Sequence, residues 1–305
     1  MKYYSVFICW IVLLFCCSDP KLEQPEEVGL NLQMATEGIS RFEDYIYSLD
    51  VYAFRKKAAN SYVYYRTLAQ LDAAGVAGLK DASTQGDAKL FDAELAVGTY
   101  EIYFVGNAAG RLSGNLVEEV TTPGELTITG NAGGQDSVYF LGKLSTTIVS
   151  DQQPLEQIIL NRVASKLVLV VYGVPEQIDS VSLSLGNLAS QFSIDGTFSG
   201  EAKSVNKNFL VRKAENIQKD TLVGEVITLP SLSGGSPLQL TFYARNGQQQ
   251  VKTMPEQILQ PNKYIRVAAI INDNPGGLLS FEVNLKLFLF DYWLEENLPD
   301  FVLTP

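Results

Sequence analysis

The sequence of 305 residues contains no histidine and only three cysteines, Cys9, Cys16 and Cys17. A Ser-His-Asp triad and a Cys-His pair both need histidine, so these catalytic sites are excluded. Basic residues are also scarce: the sequence has 23 lysines and arginines and 34 acidic residues, which gives a net charge of −11. Nucleic-acid-binding proteins need a basic face, so no nucleic-acid partner is expected. Carboxylate catalysis and a calcium site built from oxygens remain open.

Long apolar runs are absent too, with one exception at the start of the sequence. Lys2 precedes an unbroken apolar run from Val6 to Cys16. This run fits the roughly 7–15 apolar residues of a secretory signal and is shorter than the ~20 that span a bilayer. The sequence therefore predicts a signal peptide over residues 1–16, which is removed, and no later membrane-spanning segment.

The end of this run lacks the small-residue cleavage site of an ordinary signal peptide. Leu14-Phe-Cys-Cys17 resembles the lipobox of bacterial lipoproteins, in which an aliphatic residue stands three positions before the acylated cysteine. Phe15 and Cys16 replace the smaller residues usual there, so an ordinary signal peptide with stray cysteines is the alternative. We assign lipidation to Cys17, because bulky Phe15 directly precedes Cys16.

Lipidation at Cys17 has chemical consequences for the mature chain. Loss of the signal removes Cys9 and Cys16, so no disulfide can form and no free thiolate is left for a typical zinc site. The acyl chains exceed the two hydrophobic signals that stable anchoring requires. Residues 17–27 are polar and contain proline, which predicts a flexible tether. Acidic residues in this tether resemble the surface-export signal of Bacteroidota lipoproteins, and the expected location is the outer membrane, facing outward.

Nearly every segment after the tether has the pattern of a β-strand. Apolar and polar residues alternate in Val28–Met34, and Gly98–Asn107 is rich in β-forming residues. Asp195-Gly196 and Asn246-Gly247 are hairpin signals between such runs. Short strands at regular spacing, separated by glycine-rich turns, predict an all-β fold of sandwich domains.

The length of the sequence predicts more than one domain, since domains commonly have about 100–200 residues. The polar segment Asp151–Pro154 is the candidate boundary. It gives an N-terminal domain over residues 28–153 and a C-terminal domain over residues 154–305. The run Arg162–Tyr172 is apolar on both faces in its second half, which predicts a strand inside a sandwich.

The order of these segments is similar to the FimB-type fimbrial anchor family of the Bacteroidota, within the fimbrillin-like superfamily. The resemblance covers essentially the whole chain and rests on the lipobox together with the order and spacing of four strand motifs. These motifs are Leu49-Asp-Val-Tyr-Ala-Phe54, Gly98-Thr-Tyr-Glu-Ile-Tyr-Phe-Val-Gly-Asn107, Phe140-Leu-Gly142 and Arg162-Val-Ala-Ser-Lys-Leu-Val168. The resemblance implies two tandem transthyretin-like, Greek-key β-sandwich domains. It also implies a role in attaching or capping surface pili, with pilus subunits as partners and host or bacterial surface ligands reached through the fibre.

Candidate chemical sites have structural alternatives. Glu118 and Glu119 are adjacent, and adjacent residues of a strand point to opposite faces, so they cannot form an acid–base pair alone. Asp291-Tyr-Trp293 could stack against a sugar, or Trp293 could pack at the edge of the second domain's core. No catalytic constellation, metal site or cofactor site is found. The expected function is a non-enzymatic, lipid-anchored structural subunit of a surface pilus, and the alternative is a glycan-binding surface lipoprotein of an uptake system.

The resemblance also implies a mode of assembly. In related pili an arginine-directed protease removes an N-terminal strand, and a strand of the neighbouring subunit fills the groove. A basal anchor has no subunit beneath it, so we expect it to keep Val28–Met34. A cut at Arg41 would release the fold from Cys17, so Arg41 is expected to stay uncleaved.

The C-terminal segment Leu298–Leu303 is then the candidate contact with the first fibre subunit. Phe301, Val302 and Leu303 lie beyond Pro299, which confines strand pairing to this last part. The alternative is that the segment closes the second domain.

Overall fold

The computed structural model describes residues 27–36, 41–84, 86–130, 138–149, 155–211, 221–273 and 281–290. Within these ranges the chain forms strands almost throughout, which confirms the all-β prediction. The strands are β1 (Glu27–Thr36), β2 (Leu49–Ala58), β3 (Ser61–Leu71), β4 (Ala88–Ala96), β5 (Gly98–Gly106), β6 (Leu112–Ser113), β7 (Thr127–Thr129), β8 (Phe140–Ile148), β9 (Glu156–Arg162), β10 (Ser165–Tyr172), β11 (Ile178–Leu188), β12 (Gln191–Ser193), β13 (Phe198–Ser199), β14 (Lys203–Leu210), β15 (Thr221–Thr228), β16 (Ser236–Ala244), β17 (Gln249–Gln257), β18 (Tyr264–Asp273) and β19 (Phe281–Phe290). One short helix, α1 (Ala73–Ala77), and two 3-10 turns (Phe42–Asp44 and Pro123–Glu125) complete the described elements.

A seven-stranded sheet in the order β3-β2-β5-β8-β9-β1-β4 forms the first sandwich. Strand β9 pairs with β8 only through Asn161 and Arg162, and with β1 along the rest of its length. It therefore joins two layers, β3-β2-β5-β8 and β9-β1-β4, whose inner side chains share one core. That core includes Leu30, Leu32, Met34, Val51, Ala53, Phe91, Ile102, Phe104, Leu144 and Ile158.

Two four-stranded sheets, β15-β10-β18-β19 and β14-β11-β16-β17, form the second sandwich. Their inner faces share a core that includes Leu167, Leu169, Val181, Leu183, Leu240, Phe242, Ile265 and Val267. Strand β10 lies between β15 and β18, so the prediction from its doubly apolar run is confirmed. The hairpin at Asn246-Gly247 is confirmed as well, because it joins β16 to β17 and Gly247 has a left-handed φ of 83°.

A small sheet in the order β13-β12-β7-β6 links the two sandwiches. Its central pairing joins β7 of the first half to β12 of the second, with Ile128 opposite Phe192. The candidate boundary Asp151–Pro154 lies outside the described residues. Strand β9, which follows it, belongs to the first sandwich, and β10 is the first strand of the second. The division into two domains remains a prediction.

Candidate assembly site

The N-terminal strand β1 occupies an interior position of its sheet. It pairs antiparallel with β4 from Glu27 to Ala35 and parallel with β9 from Leu32 to Thr36. Leu30, Leu32 and Met34 point into the first core and are almost wholly buried. Because β1 has a hydrogen-bonded neighbour on both sides, it fills the position that would otherwise be a groove between β4 and β9.

The start of β1 is fixed by an ion pair with another strand. Arg66 Nη1 on β3 lies 2.7 Å from Glu27 Oε1, and Arg66 Nη2 donates a hydrogen bond to the carbonyl of Glu94 on β4. These residues line an open cleft of about 570 Å³, together with Asn31 and Asp92. The pair holds the first residue of β1 against the rest of the sandwich, next to the point where the tether would enter.

The segment after β1 is anchored by apolar side chains. Phe42 and Ile46 are fully buried in the first core, and the Phe42 amide donates to the carbonyl of Gly86 at 3.1 Å. Arg41 directly precedes this anchor and has an exposed side chain. The structure thus leaves Arg41 accessible while β1 on one side and Phe42 on the other are both built into the fold.

Asn107 closes the far end of β5 with three hydrogen bonds. Its Oδ1 accepts from the Tyr47 amide at 2.9 Å, and its Nδ2 donates to the carbonyls of Tyr45 at 2.7 Å and Val138 at 2.8 Å. Its φ of 64° is left-handed, a conformation that asparagine adopts more readily than most residues. A single side chain therefore fixes two loops at the same end of the first sandwich.

The outer face of β2 and β5 is buried against the second half of the chain. Tyr52, Phe54 and Tyr103 turn away from the first core and join a second apolar cluster with Phe192 and Leu229. The Phe54 and Tyr103 rings meet edge to face at 5.4 Å, and burial next to Asp50 raises the pKa of Tyr52 to about 12. We call this cluster, together with the β7–β12 pairing, the joint.

Charged groups border the joint. Lys143 Nζ lies 2.6 Å from Glu101 Oε1 and 5.4 Å from the centre of the Tyr103 ring, and the Tyr103 hydroxyl donates to Glu101 at 2.6 Å. Asp195, from the second half, lines the same cleft of about 480 Å³. Burial would raise the pKa of Asp195, but hydrogen bonds from Ser193 and Thr197, helped by Lys143, outweigh it and lower that pKa. The charged groups of Lys143, Glu101 and Asp195 thus interact with neighbouring groups at the joint. The cleft contains no histidine or thiolate.

Sequence analysis did not predict the joint, although a signal for it exists. In the runs Leu49–Phe54 and Tyr100–Val105, residues that point to either face of the strand are apolar, except for Asp50 and Glu101. Such a run indicates a strand that is covered on both faces. The pattern cannot identify the covering segment, since β7 and β12 are short and far apart in sequence.

Several predicted site residues lie outside the described residues. They are Cys17, Asp291, Tyr292, Trp293, Phe301, Val302 and Leu303. Within the described ranges, no cluster of acidic or cysteine side chains has the arrangement of a metal site. In the same ranges no α-helix combines the length and apolar character that a membrane span requires.

The described strands form two β-sandwiches, and the first strand is paired on both sides within its sheet. The sequence model of one family, the fimbrillin-A-associated anchor proteins Mfa1 and Mfa2, matches residues 21–286. The chain belongs to this family, and it is therefore a structural fimbrial subunit that acts at the cell surface together with other fimbrial subunits. The resemblance to fimbrial anchors drawn from the strand motifs is confirmed.

Solved structures similar to this one in fold include the following two. The fimbrial anchor protein Mfa2 from Porphyromonas gingivalis has a TM-score of 0.55 and 13% sequence identity, over 87% of this chain and 98% of that one. A fimbrial assembly protein from Parabacteroides distasonis has a TM-score of 0.56 and 13% identity, over 88% of this chain and 100% of that one. No curated protein matches the sequence significantly.

Proposed function

We propose that the protein is a non-enzymatic anchor that is lipidated at Cys17, sits in the outer membrane and holds the base of a fimbria at the cell surface. The observation that carries this proposal is the interior position of β1, paired on both sides and buried along Leu30, Leu32 and Met34. An occupied strand position suits a subunit with nothing beneath it. The polar segment 18–26 would connect β1 to the lipid.

Lipidation is tested by metabolic labelling. Labelled fatty acid should enter the wild-type protein and be lost from Cys17→Ala, while Cys16→Ala keeps the label. Labelling that survives Cys17→Ala would overturn the assignment.

Immunogold labelling of intact cells tests the position of the anchor, because gold should mark fibre bases in the wild type. Gold distributed along the fibres would contradict a basal anchor.

Retention of β1 is tested by the mass of the protein isolated from cells that contain an arginine-specific protease. Arg41 is exposed, but cleavage there would separate β1 and the lipid from the remainder of the fold. We expect a chain that still contains residues 27–41. A mature N-terminus at Phe42 would show that β1 is removed and would overturn this part of the proposal.

The contact with the first fibre subunit is proposed for Phe301, Val302 and Leu303. Strand addition draws affinity from main-chain hydrogen bonds and specificity from alternate side chains, which these residues offer. Deletion of residues 300–305 should leave the melting temperature unchanged and release fibres from cells. A lowered melting temperature with fibres still attached would instead assign the segment to the second domain.

A further inference from the structure

Strand β17 forms the free edge of a sheet in the second sandwich. It pairs with β16 on one side, in the order β14-β11-β16-β17, and no described strand pairs with its other side. The strand has nine residues, and its charged residues are one lysine and one glutamate, Lys252 and Glu256. A long edge strand of low charge is a site where another strand can be added, unless the protein protects it.

The hydrogen bonds of the β16–β17 hairpin show which main-chain groups point outward. The Ala244 amide donates to the Gln248 carbonyl at 2.9 Å, so this pair is hydrogen-bonded. Bonded and non-bonded pairs alternate in an antiparallel ladder, and Gln249, Val251 and Thr253 therefore turn their amides and carbonyls away from β16. The free edge thus offers alternating donors and acceptors along most of the strand.

The two faces of β17 carry different side chains. Gln250 and Lys252 lie opposite Phe242 and Leu240 of the core, so their side chains are on the core side of the strand. Val251, between them, points to the outer face and is 47% exposed. A lysine on the core side of an edge strand protects it from pairing with an apolar strand, which would take the ammonium out of water.

The Gln250 side chain has a buried oxygen without a partner. Its Oε1 is out of contact with solvent and accepts no hydrogen bond from the described part of the chain. A buried acceptor that lacks a donor costs free energy, and such atoms are few in native proteins. An orphan acceptor beside an unpaired strand edge indicates that a donor arrives with the strand that pairs there.

A second copy of β17 supplies this donor in one antiparallel register. With Val251 opposite Val251 of the second copy, Gln249 lies opposite Thr253 and Gln250 lies opposite Lys252. The outward groups of Gln249, Val251 and Thr253 then form three hydrogen-bonded pairs with two bonds each. Gln250 and Lys252 form non-bonded pairs, whose Cα atoms are about 4.5 Å apart and whose side chains are close. The Lys252 ammonium of each copy thus comes next to the orphan oxygen of the other.

Neighbouring registers of the same strand pair are less favourable. A register with Lys252 opposite Lys252 brings two ammonium groups together. A register with Gln250 opposite Gln250 places Thr253 against Gly247, which lies in the hairpin turn and does not continue the strand. The core-side polar residues therefore select the register that is centred on Val251.

We propose that two copies of the chain associate by antiparallel pairing of their β17 edges about Val251, and that the contacts between Gln250 and Lys252 fix this register. The sheet β14-β11-β16-β17 continues into its counterpart, which gives one sheet of eight strands. One strand pair is small beside the about 1,200–2,000 Å² buried in standard complexes, so the dimer is in equilibrium with the monomer. The inference goes beyond the anchor role and depends on neither lipidation nor the fibre contact.

Cysteine cross-linking tests the register in the full chain. Val251→Cys should form a disulfide-linked dimer under mild oxidation, because residues 251 of the two copies lie about 5.5 Å apart at Cα, within the range for a disulfide. Val223→Cys is the matched control, since Val223 is 60% exposed on the edge strand β15, and this variant should stay monomeric. The wild type measures the background from its own cysteines. Mass spectrometry should find the substituted peptide linked to itself.

The direction of the Lys252 effect separates a contact from a protective charge. If Lys252 donates to Gln250 of the second copy, Lys252→Met should lower the dimer fraction several-fold in sedimentation of the detergent-extracted full chain. Gln250→Met should lower it as well, whereas Gln250→Glu should raise it, because a carboxylate binds the ammonium more strongly. If Lys252 only protects the edge, Lys252→Met should instead promote pairing.

Val251→Pro tests the main-chain ladder. The Val251 amide points away from β16, so proline removes a bond of the dimer and none of the hairpin. The variant should sediment as a monomer and keep the circular dichroism spectrum of the wild type. The cross-linking experiment remains decisive if this variant does not fold.

Three results would overturn the inference. The first is equal cross-linking of Val251→Cys and Val223→Cys, or none above the wild-type background. The second is a dimer fraction that rises in Lys252→Met. The third is a Val251→Cys variant that links only to an added fimbrial subunit, because the strand that pairs with β17 would then belong to the fibre.

Discussion

Arg66 on the edge strand β3 forms an ion pair with Glu27 on β1, next to the opposite edge strand, with 2.7 Å between guanidinium and carboxylate. Arg66 lies on β3 at one edge of the seven-stranded order, and its second hydrogen bond reaches the carbonyl of Glu94 on β4 at the other edge. Glu27 is the first residue of β1. One side chain therefore connects the edges of the sheet at the point where the N-terminal strand begins.

Arg66→Gln should loosen the start of β1 with little effect on global stability. Both partners are more than one-third exposed, so solvent screening limits the loss to less than about 1 kcal/mol. Amide hydrogen exchange should increase at Val28 and Gly29, while the exchange of Leu32 is unchanged. Lys203→Gln, which breaks an exposed pair with Glu201 in the second half, is the control. Unchanged exchange at Val28 would refute the linking role.

Leu32→Ala should destabilise the fold by about 2–5 kcal/mol, because it creates a cavity at a fully buried position. Gln33→Ala, on the same strand with a partly exposed side chain, should change stability by less than about 0.5 kcal/mol. Denaturant unfolding of the two variants measures the difference. Equal midpoints would mean that β1 is dispensable for the first core.

Phe192→Ala should uncouple the two halves of the chain. Phe192 is fully buried in the joint, with its ring 5.4 Å from that of Tyr139, so its loss should cost about 3–5 kcal/mol. We expect one calorimetric transition in the wild type and two in the variant. Phe91→Ala removes a ring from the first core alone and should lower the melting temperature without splitting the transition. A single transition in Phe192→Ala would contradict separate domains.

Asn107→Ala should cost about 1–3 kcal/mol, because the partly buried carbonyls of Tyr45 and Val138 lose their donor. Asn107→Asp should be worse, since its carboxylate would face those same carbonyls without a proton to donate. Thermal melts at neutral pH measure both. Asn60→Ala, at an exposed left-handed asparagine between β2 and β3, separates the loss of this network from the backbone effect. A milder effect of Asn107→Asp than of Asn107→Ala would contradict the hydrogen-bond assignment.

Asp195 should contribute to stability in a pH-dependent way. Its pKa is lowered below the ordinary value of 3.8, as hydrogen bonds from Ser193 and Thr197 outweigh the effect of burial. The folded state therefore binds the proton less tightly than the unfolded state does, and the stabilisation is present above pH 3.8 and lost as the pH falls through the folded pKa. Asp195→Asn and Ser193→Ala should each flatten this part of the acid dependence of unfolding. Profiles parallel to the wild type would contradict the prediction.

Local patterns in the sequence predicted the strands well. Val28–Met34 corresponds to β1, which extends to Glu27 and Thr36, and the doubly apolar run corresponds to β10. The alternation of apolar and polar residues indicates which side chains of a strand point inward, and an Asn-Gly pair indicates a turn. Both signals depend only on residues that are close in sequence. The alanine-rich stretch after β3 forms only the five-residue helix α1 (Ala73–Ala77), because β3 continues to Leu71.

The pairing between distant strands could not be predicted in the same way. The position of β9 in the first sandwich depends on its match with β1, more than a hundred residues earlier. The β7–β12 pair involves two strands of three residues each, too short for a periodic signal. The partners of Arg66 could not be predicted from the sequence either, because Glu27 and Glu94 come close to it only when the sheet curves.

The interior position of β1 gives the proposed anchor a mechanical property. A pull on the tether acts along the axis of β1. Its hydrogen bonds to antiparallel β4 run nearly perpendicular to that axis, and those to parallel β9 are slanted across it. The bonds to β4 and those to β9 would then be loaded together in shear and would share the tension. A strand at an edge, pulled sideways, would release its bonds one after another. The same pairing that closes the groove would thus resist the drag of flowing liquid on a fibre.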